Sequence, residues 1–243
     1  MVAEDVAERD SGGTVSPAGG TDDRLPFDPN SVRRIRREYG AWAPVYDLFA
    51  RATASVGGVR AGCVAALDLD PGDTVVDFGC GPGVNFPALR EAVGPQGRVV
   101  GVDVTRPMLE RARRLVARRG WENISIVHGD ATTPPISRAD GVLATFVTSL
   151  FSDPEAVVCR WCELADSVVV ANFAPYGGRV ANAALRAFAR ANARLFDFEV
   201  GDPLRQLADR TEASRRALAD CQETVVAEDY VFGTIRLHAG YSQ

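Results

Sequence analysis

The run Val75–Gly83, VVDFGCGPG, decides how this chain folds. A β-branched apolar stretch ends in an acid and passes straight into a glycine-rich turn, D-x-G-x-G-x-G. A first parallel strand delivers its chain in this way into a loop where backbone must approach a ligand closely. Lacking Cβ, Gly79, Gly81 and Gly83 can take positive φ and leave room for a bound molecule. A second strand follows at Arg98–Asp103 and also ends in an acid. Neighbouring strand ends in a βαβ unit meet at one crevice, so Asp103 is expected beside the loop, accepting hydrogen bonds from ribose hydroxyls. Together the two segments point to a nucleoside cofactor.

The spacing narrows the choice. The dinucleotide fingerprint is G-x-G-x-x-G, with a helix N-terminus aimed at a pyrophosphate. Here the third glycine comes one residue early, and Asp77 stands two residues before the first. A carboxylate facing the pocket would repel a pyrophosphate but suits a ligand with an amino group. Downstream, ISIVHGDATTPP (Ile124–Pro135) gives a third apolar strand ending at His128, then a Gly129-Asp130-Ala131 turn. An ordinary turn acid or helix cap would also account for Asp130 taken alone.

These three motifs closely resemble those of the class I S-adenosylmethionine-dependent methyltransferases, within their small-molecule branch. The resemblance implies a Rossmann-like α/β sheet, mostly parallel with an antiparallel last strand, and helices on both faces. It implies S-adenosyl-L-methionine as cofactor and S-adenosyl-L-homocysteine as product. By resemblance Asp77 holds the methionyl amino group, directly or through water, and Gly79, Gly81 and Gly83 form the cofactor floor. Asp103 binds the ribose, and Asp130 and Ala131 the adenine. Cys80, Val104, Met108 and Thr145 complete the expected cofactor-contacting set, with the Cys80 side chain read as packing.

Composition sets the wider frame. At 243 residues, 46% hydrophobic and 24% charged, the chain is expected to form one well-cored soluble domain. Glu4, Asp5, Glu8, Asp10, Asp22, Asp23 and Asp28 face only Arg9 and Arg24, which accounts for the whole net charge of −5. This Gly/Ser/Pro-rich stretch, residues 1–30, reads as a disordered acidic tail. The formally neutral remainder argues against a nucleic-acid partner. No basic leader or long apolar run is present, so a cytoplasmic location is expected. All the basic charge is arginine, a bias that a GC-rich genome or a salt-adapted host would equally produce.

Five cysteines without a leader suggest reduced thiols. Cys159-Arg-Trp-Cys162 lies within an expected helix, Asp153–Ala165, and reads as two half-buried thiols with no second ligand pair for a metal. No metal site is expected.

Residues 31–67 form an expected N-terminal helical lid, 73–173 the cofactor-binding core, 178–221 a helical cap and 223–240 a closing strand pair. Within the core, Thr105 is placed as the cap of a helix with Pro107 in its first turn. In the cap, Val180, Ala184, Leu185, Phe188, Ala191 and Leu195 make an apolar stripe opposite Arg186, Arg190 and Arg194. Such a helix packs on the core, or covers substrate at a membrane surface as a peripheral contact.

The acceptor side is less legible, because in-line methyl transfer needs alignment rather than a signature of reactive side chains. The segment Tyr39–Asp47, YGAWAPVYD, is similar to the A-x-x-Y-D segment of quinone and phospholipid methyltransferases. Tyr39 and Tyr46 are therefore lid candidates, and Thr148, after the fourth strand, a substrate-edge candidate. The stretch LATFVTSLFSDPEAV departs from the quinone-enzyme pattern, so the acceptor is not carried over. His128 and His238, the only histidines, receive no catalytic role, and no general base is assigned. The expected activity is methyl transfer to a small molecule, with a lipidic or quinone-like acceptor in view. A catalytically silent cofactor-binding protein and a nicotinamide-dependent oxidoreductase are the alternatives.

Overall fold

The computed structural model describes residues 58–195 and 202–242. Thr74–Phe78 (β1), Arg98–Asp103 (β2), Ile124–His128 (β3), Gly141–Thr145 (β4) and Ser167–Phe173 (β5) run parallel to one another. Thr224–Tyr230 (β6) and Ile235–Tyr241 (β7) extend the sheet to the order β3-β2-β1-β4-β5-β7-β6. β7 is antiparallel to both neighbours, so it is the one reversed strand, as expected. β1, β2 and β5 fall on the residues that the apolar runs of the sequence predict, Thr74–Phe78, Arg98–Asp103 and Ser167–Phe173, because β-branched runs are what a sheet buried on both faces requires.

Helices cover both faces: Val59–Ala65 (α1), Phe86–Val93 (α2), Arg106–Arg119 (α3), Pro154–Cys162 (α4), Arg179–Leu195 (α5) and Pro203–Cys221 (α6). One apolar layer gathers Val59, Cys63, Phe86, Leu89, Val93 and Leu109 against the sheet. The other centres on Trp161, whose ring stacks on Phe78 at 5.0 Å while its Nε1 donates to Ala131 O. The sheet is thus gripped from both sides, and its C-terminal edge is left to loops. That edge is where ligands bind in such sheets.

Local signals set the helix ends with some corrections. Gly120 closes α3 in a left-handed conformation (φ 62). Thr105 stands at the N-cap of α3 but makes no capping bond through its side chain; its N–H donates instead to Asp103 Oδ1. α4 stops at Cys162 rather than Ala165, and the closing pair spans 224–241 against the expected 223–240. Within the expected helical cap, Asp202 starts α6 afresh: its side chain accepts from Leu204 N and Pro203 occupies the first turn. The stripe on α5 meets the core at Leu185, while Ala184 is exposed and Val180 is 85% exposed. Tyr39, Tyr46, the tail and most of the expected lid lie outside the described residues.

One cysteine expectation is overturned. Cys159 pairs with Cys221, 62 residues away, in a disulfide joining α4 to the end of α6, and Cys162 stays free. Spacing along the chain could not show this, because the partner arrives through helix packing.

Gly101 in β2 depends on its missing side chain. A Cβ there would lie 2.4 Å from the Phe86 ring and 3.0 Å from Cys80 Sγ. Gly101→Ala is expected to destabilise the protein by about 1–3 kcal/mol, read as a lower urea midpoint, by overpacking this layer.

Candidate active site

The loop after β1 approaches the end of β2 through backbone bonds: Gly79 N and Cys80 N both donate to Val102 O. Gly79, Gly81 and Gly83 have φ of 67°, 52° and 83°, the left-handed region that the sequence requires of them. Their surroundings differ. A Cβ on Gly79 would lie 2.7 Å from the Val147 side chain, and one on Gly83 2.6 Å from Phe86. A Cβ on Gly81 would meet nothing within 4 Å, so that side of the loop faces open space where a ligand can come close.

Asp103 fastens this loop. Its Oδ2 accepts from Gly81 N at 3.0 Å and its Oδ1 from Thr105 N at 2.7 Å. Burial raises its carboxyl above the ordinary range, against the pull of these two backbone donors. Each oxygen keeps a second lone pair for a further donor such as a sugar hydroxyl.

Asp77 is fully buried beneath the loop. Asn85 Nδ2 donates to both of its oxygens, at 3.0 and 3.1 Å, and also reaches Thr145 Oγ1 at 3.2 Å. Arg60 of α1 in turn donates to Asn85 Oδ1. Burial lifts the Asp77 carboxyl to about 7, with Asn85 and Arg60 working against it and Asp103 adding to it. A buried acid that is costly to ionise and faces a second acid suits a ligand bringing a positive group.

Arg60 and Asn85 were not among the residues predicted for the site. Asn85 could have been noticed as the first polar side chain after the glycines. Arg60 stands on a helix outside every motif, and nothing in the sequence connects it to Asp77.

The remaining predicted residues divide. Cys80 is buried, with its thiol pushed well up by desolvation and the two acids, which fits packing. Met108 is buried in the first turn of α3, and Val104 is half-buried where β2 ends. Asp130 closes its own turn, with Oδ1 accepting from both Thr132 N and Thr132 Oγ1 at 2.8 Å. Ala131 is held by Trp161 through its carbonyl. Thr148 is fully buried and donates to Asn172 Oδ1 at 2.8 Å, so it supports the turn Thr148–Leu150 from within rather than presenting a hydroxyl to substrate.

His128 Nε2 lies 3.0 Å from Val104 O at the strand end. His238 is buried in β7, where desolvation and Arg236 and Arg215 push it down to about 4.

Beyond β4 the wall becomes apolar. Phe146 takes a left-handed conformation (φ 62) and its ring stacks on Phe173 at 4.7 Å. Tyr176 follows, with the Arg236 guanidinium 3.8 Å over its ring.

Residues 75–165 match a protein family described as "Methyltransferase domain". This segment is a class I S-adenosylmethionine-dependent methyltransferase domain. Nocamycin O-methyltransferase of Saccharothrix syringae is 41% identical over 101 residues, 40% of this chain and 36% of that protein. Aklanonic acid methyltransferase DauC of Streptomyces sp. (strain C5) is 34% identical over 112 residues, 45% of this chain and 47% of that one. The methyltransferase domain thus aligns with less than half the length of either curated relative. A SAM-dependent methyltransferase from Aquifex aeolicus shares the fold, with a TM-score of 0.58 at 15% identity, covering 88% of this chain and 98% of that one. The nicotinamide alternative falls with the family match. Among the described residues of the methyltransferase domain and its flanks, no group of His, Cys, Asp and Glu could hold a metal ion. None of their helices is long and apolar enough to cross a membrane.

The raised Asp77 pKa carries a consequence for stability. Between its ordinary value of 3.8 and about 7, the folded protein holds a proton that the unfolded chain has lost. The Asp77 contribution to the stability of the ligand-free protein therefore falls as pH rises through that window. His238, held down by burial, works in the opposite direction and does so in the wild type and in Asp77→Asn alike. Urea unfolding at pH 5 and pH 8 is therefore expected to show the wild type losing on the order of 3 kcal/mol relative to Asp77→Asn. The same pH dependence in both proteins would contradict this assignment.

Proposed function

We propose that this protein transfers a methyl group from S-adenosylmethionine to an apolar small molecule. The observation carrying the reading is that Asp77, the open backbone at Gly81 and Asp103 converge on one crevice at the C-terminal edge of the sheet. When bound, the cofactor supplies a sulfonium methyl that an acceptor takes by in-line displacement. Asp77, steadied by Asn85, receives the methionyl amino group directly or through water, and its ionised form is favoured by that cation. Gly79, Gly81 and Gly83 form the floor, with Cys80 packing behind them. Asp103 accepts from the ribose hydroxyls while holding the loop, and Val104 and Met108 line the same side. Asp130 and the Ala131 N–H address the adenine, and Thr145 orients Asn85.

The acceptor is read from two supports. Phe146 and Phe173 make an aromatic ledge just beyond Thr145, which suits a flat apolar molecule rather than a charged one. Two curated relatives carry names for methylation of nocamycin and aklanonic acid, and another is a demethylmenaquinone methyltransferase of Shouchella clausii, 44% identical over 69 residues. A polyketide-like or quinone-like acceptor fits both supports. His238 is buried in β7 and is not assigned as a general base for it; in this reading the protein aligns the reactants and excludes water. The same reading places Tyr39 and Tyr46 in a lid over the acceptor and the protein in the cytoplasm.

Asp103→Ala is expected to abolish S-adenosylhomocysteine binding, a loss of at least about 100-fold, while the circular dichroism spectrum stays native. Release of S-adenosylhomocysteine with a panel of hydroxylated polycyclic and quinol acceptors is expected to fall with it. Unchanged affinity in the variant would overturn the assignment of the ribose site.

A further inference from the structure

The Cys159–Cys221 pair joins two helices that are already well packed. Trp161 of α4 and Ala217 and Leu218 of α6 are fully buried in one apolar layer, and Arg216 pairs with Glu155 at 3.1 Å along the same seam. The cross-link is thus not what assembles the helix pair. The cysteines also differ in access. Cys63 and Cys80 are buried, Cys159 and Cys162 half-buried, and Cys221, the last residue of α6, is exposed. Its Cα lies 5.8 Å from that of Cys159, within the ordinary range for a disulfide. An external thiol can therefore reach this bond at Cys221.

The middle of α6 holds the turn that follows β4. Arg210 donates to Phe151 O, Ser214 Oγ lies 3.4 Å from Thr148 Oγ1, and Thr211 Oγ1 donates to Phe173 O at 3.2 Å. These contacts support the strand ends that carry the aromatic ledge, Phe146 and Phe173. One helix therefore has the acceptor-side turn against its middle and an accessible disulfide at its C-terminus.

We propose that Cys159 and Cys221 form a reversible redox site that fixes α6 on the acceptor-side turn when oxidised and loosens it when reduced. The exchange partner is a low-molecular-weight thiol and its disulfide. In the oxidising direction the Cys221 thiolate attacks the small disulfide, forming a mixed disulfide and releasing one thiol. The Cys159 thiolate then displaces the second thiol from Cys221, so two protein thiols are oxidised as one small disulfide is reduced to two thiols. Reduction is the reverse, with attack at the exposed Cys221 sulfur. Cys162, three residues along α4 from Cys159, is the competing partner. Cys162 is free and half-buried while Cys221 stands against Cys159, and burial raises the Cys162 thiol pKa, which disfavours its thiolate.

The test treats the full chain with glutathione disulfide or dithiothreitol, followed by acid quench, alkylation, peptide mass mapping and hydrogen exchange. The expected result is a Cys159–Cys221 linked peptide that forms and disappears reversibly, with Cys63, Cys80 and Cys162 alkylated. The oxidised form should melt about 5–10 °C higher, and amides of residues 148–151 and 203–221 should exchange about tenfold more slowly. Cys221→Ser, a change at an exposed helix end, should fold and lose the response. A Cys159–Cys162 link, no link, or a link that leaves exchange at residues 148–151 unchanged would overturn the proposal. None of these readouts requires methyl transfer, so the proposal can fail while the catalytic reading stands.

Discussion

The carboxylate of Asp103 is the joint on which the site depends. By accepting from Gly81 N and Thr105 N, it ties the loop after β1 to the start of α3. Without that tie, three glycines in the left-handed region would leave a loop with wide conformational freedom, and ordering it would fall to the ligand. With it, the open backbone at Gly81 is held over Asp77 before anything binds. The arrangement has a cost in charge. Two carboxylates share one crevice, burial raises both, and Arg60 and Asn85 only partly compensate. A ligand with an amino group and a sugar diol answers both acids at once.

Much of this was legible because the cofactor side is made of backbone constraints, and backbone constraints leave local signatures. β1, β2 and β5 could be placed to the residue since a strand buried on both faces needs an unbroken β-branched run. The glycines and the two acids follow from strand ends meeting in a parallel sheet. Asp130 was open to two readings, and the structure realises the local one in its bond to Thr132 without removing the other. Most of the misses rest on contacts between segments distant in sequence: Arg60 and the Cys159–Cys221 pair depend on helix packing, and the inward turn of Thr148 on Asn172 of β5, whereas Asn85 stands only eight residues from Asp77. Thr105 shows a smaller departure: the expected residue stands at the helix start, but its side chain makes no capping bond and its own N–H donates to the neighbouring Asp103.

The acceptor side obeys different rules. A displacement that draws its reactivity from the sulfonium asks the protein for shape and dryness, and these are spread over loops and side-chain packing. The ledge of Phe146 and Phe173 is the clearest element, set by an aromatic residue in a backbone conformation that non-glycine residues rarely adopt. Val231 and Phe232, both with positive φ at the β6–β7 turn, extend the irregular backbone along the same edge, and Phe232 is 89% exposed.

The central claim is that this crevice is built for a nucleoside sulfonium and its thioether product, and not for a dinucleotide. Calorimetric titration of the full chain with S-adenosylhomocysteine, and separately with NADH, tests it most directly. The account predicts micromolar one-site binding of S-adenosylhomocysteine and no heat of binding from NADH. Binding of NADH alone would contradict it, and the reading of Asp77 and the glycine loop would fall with it.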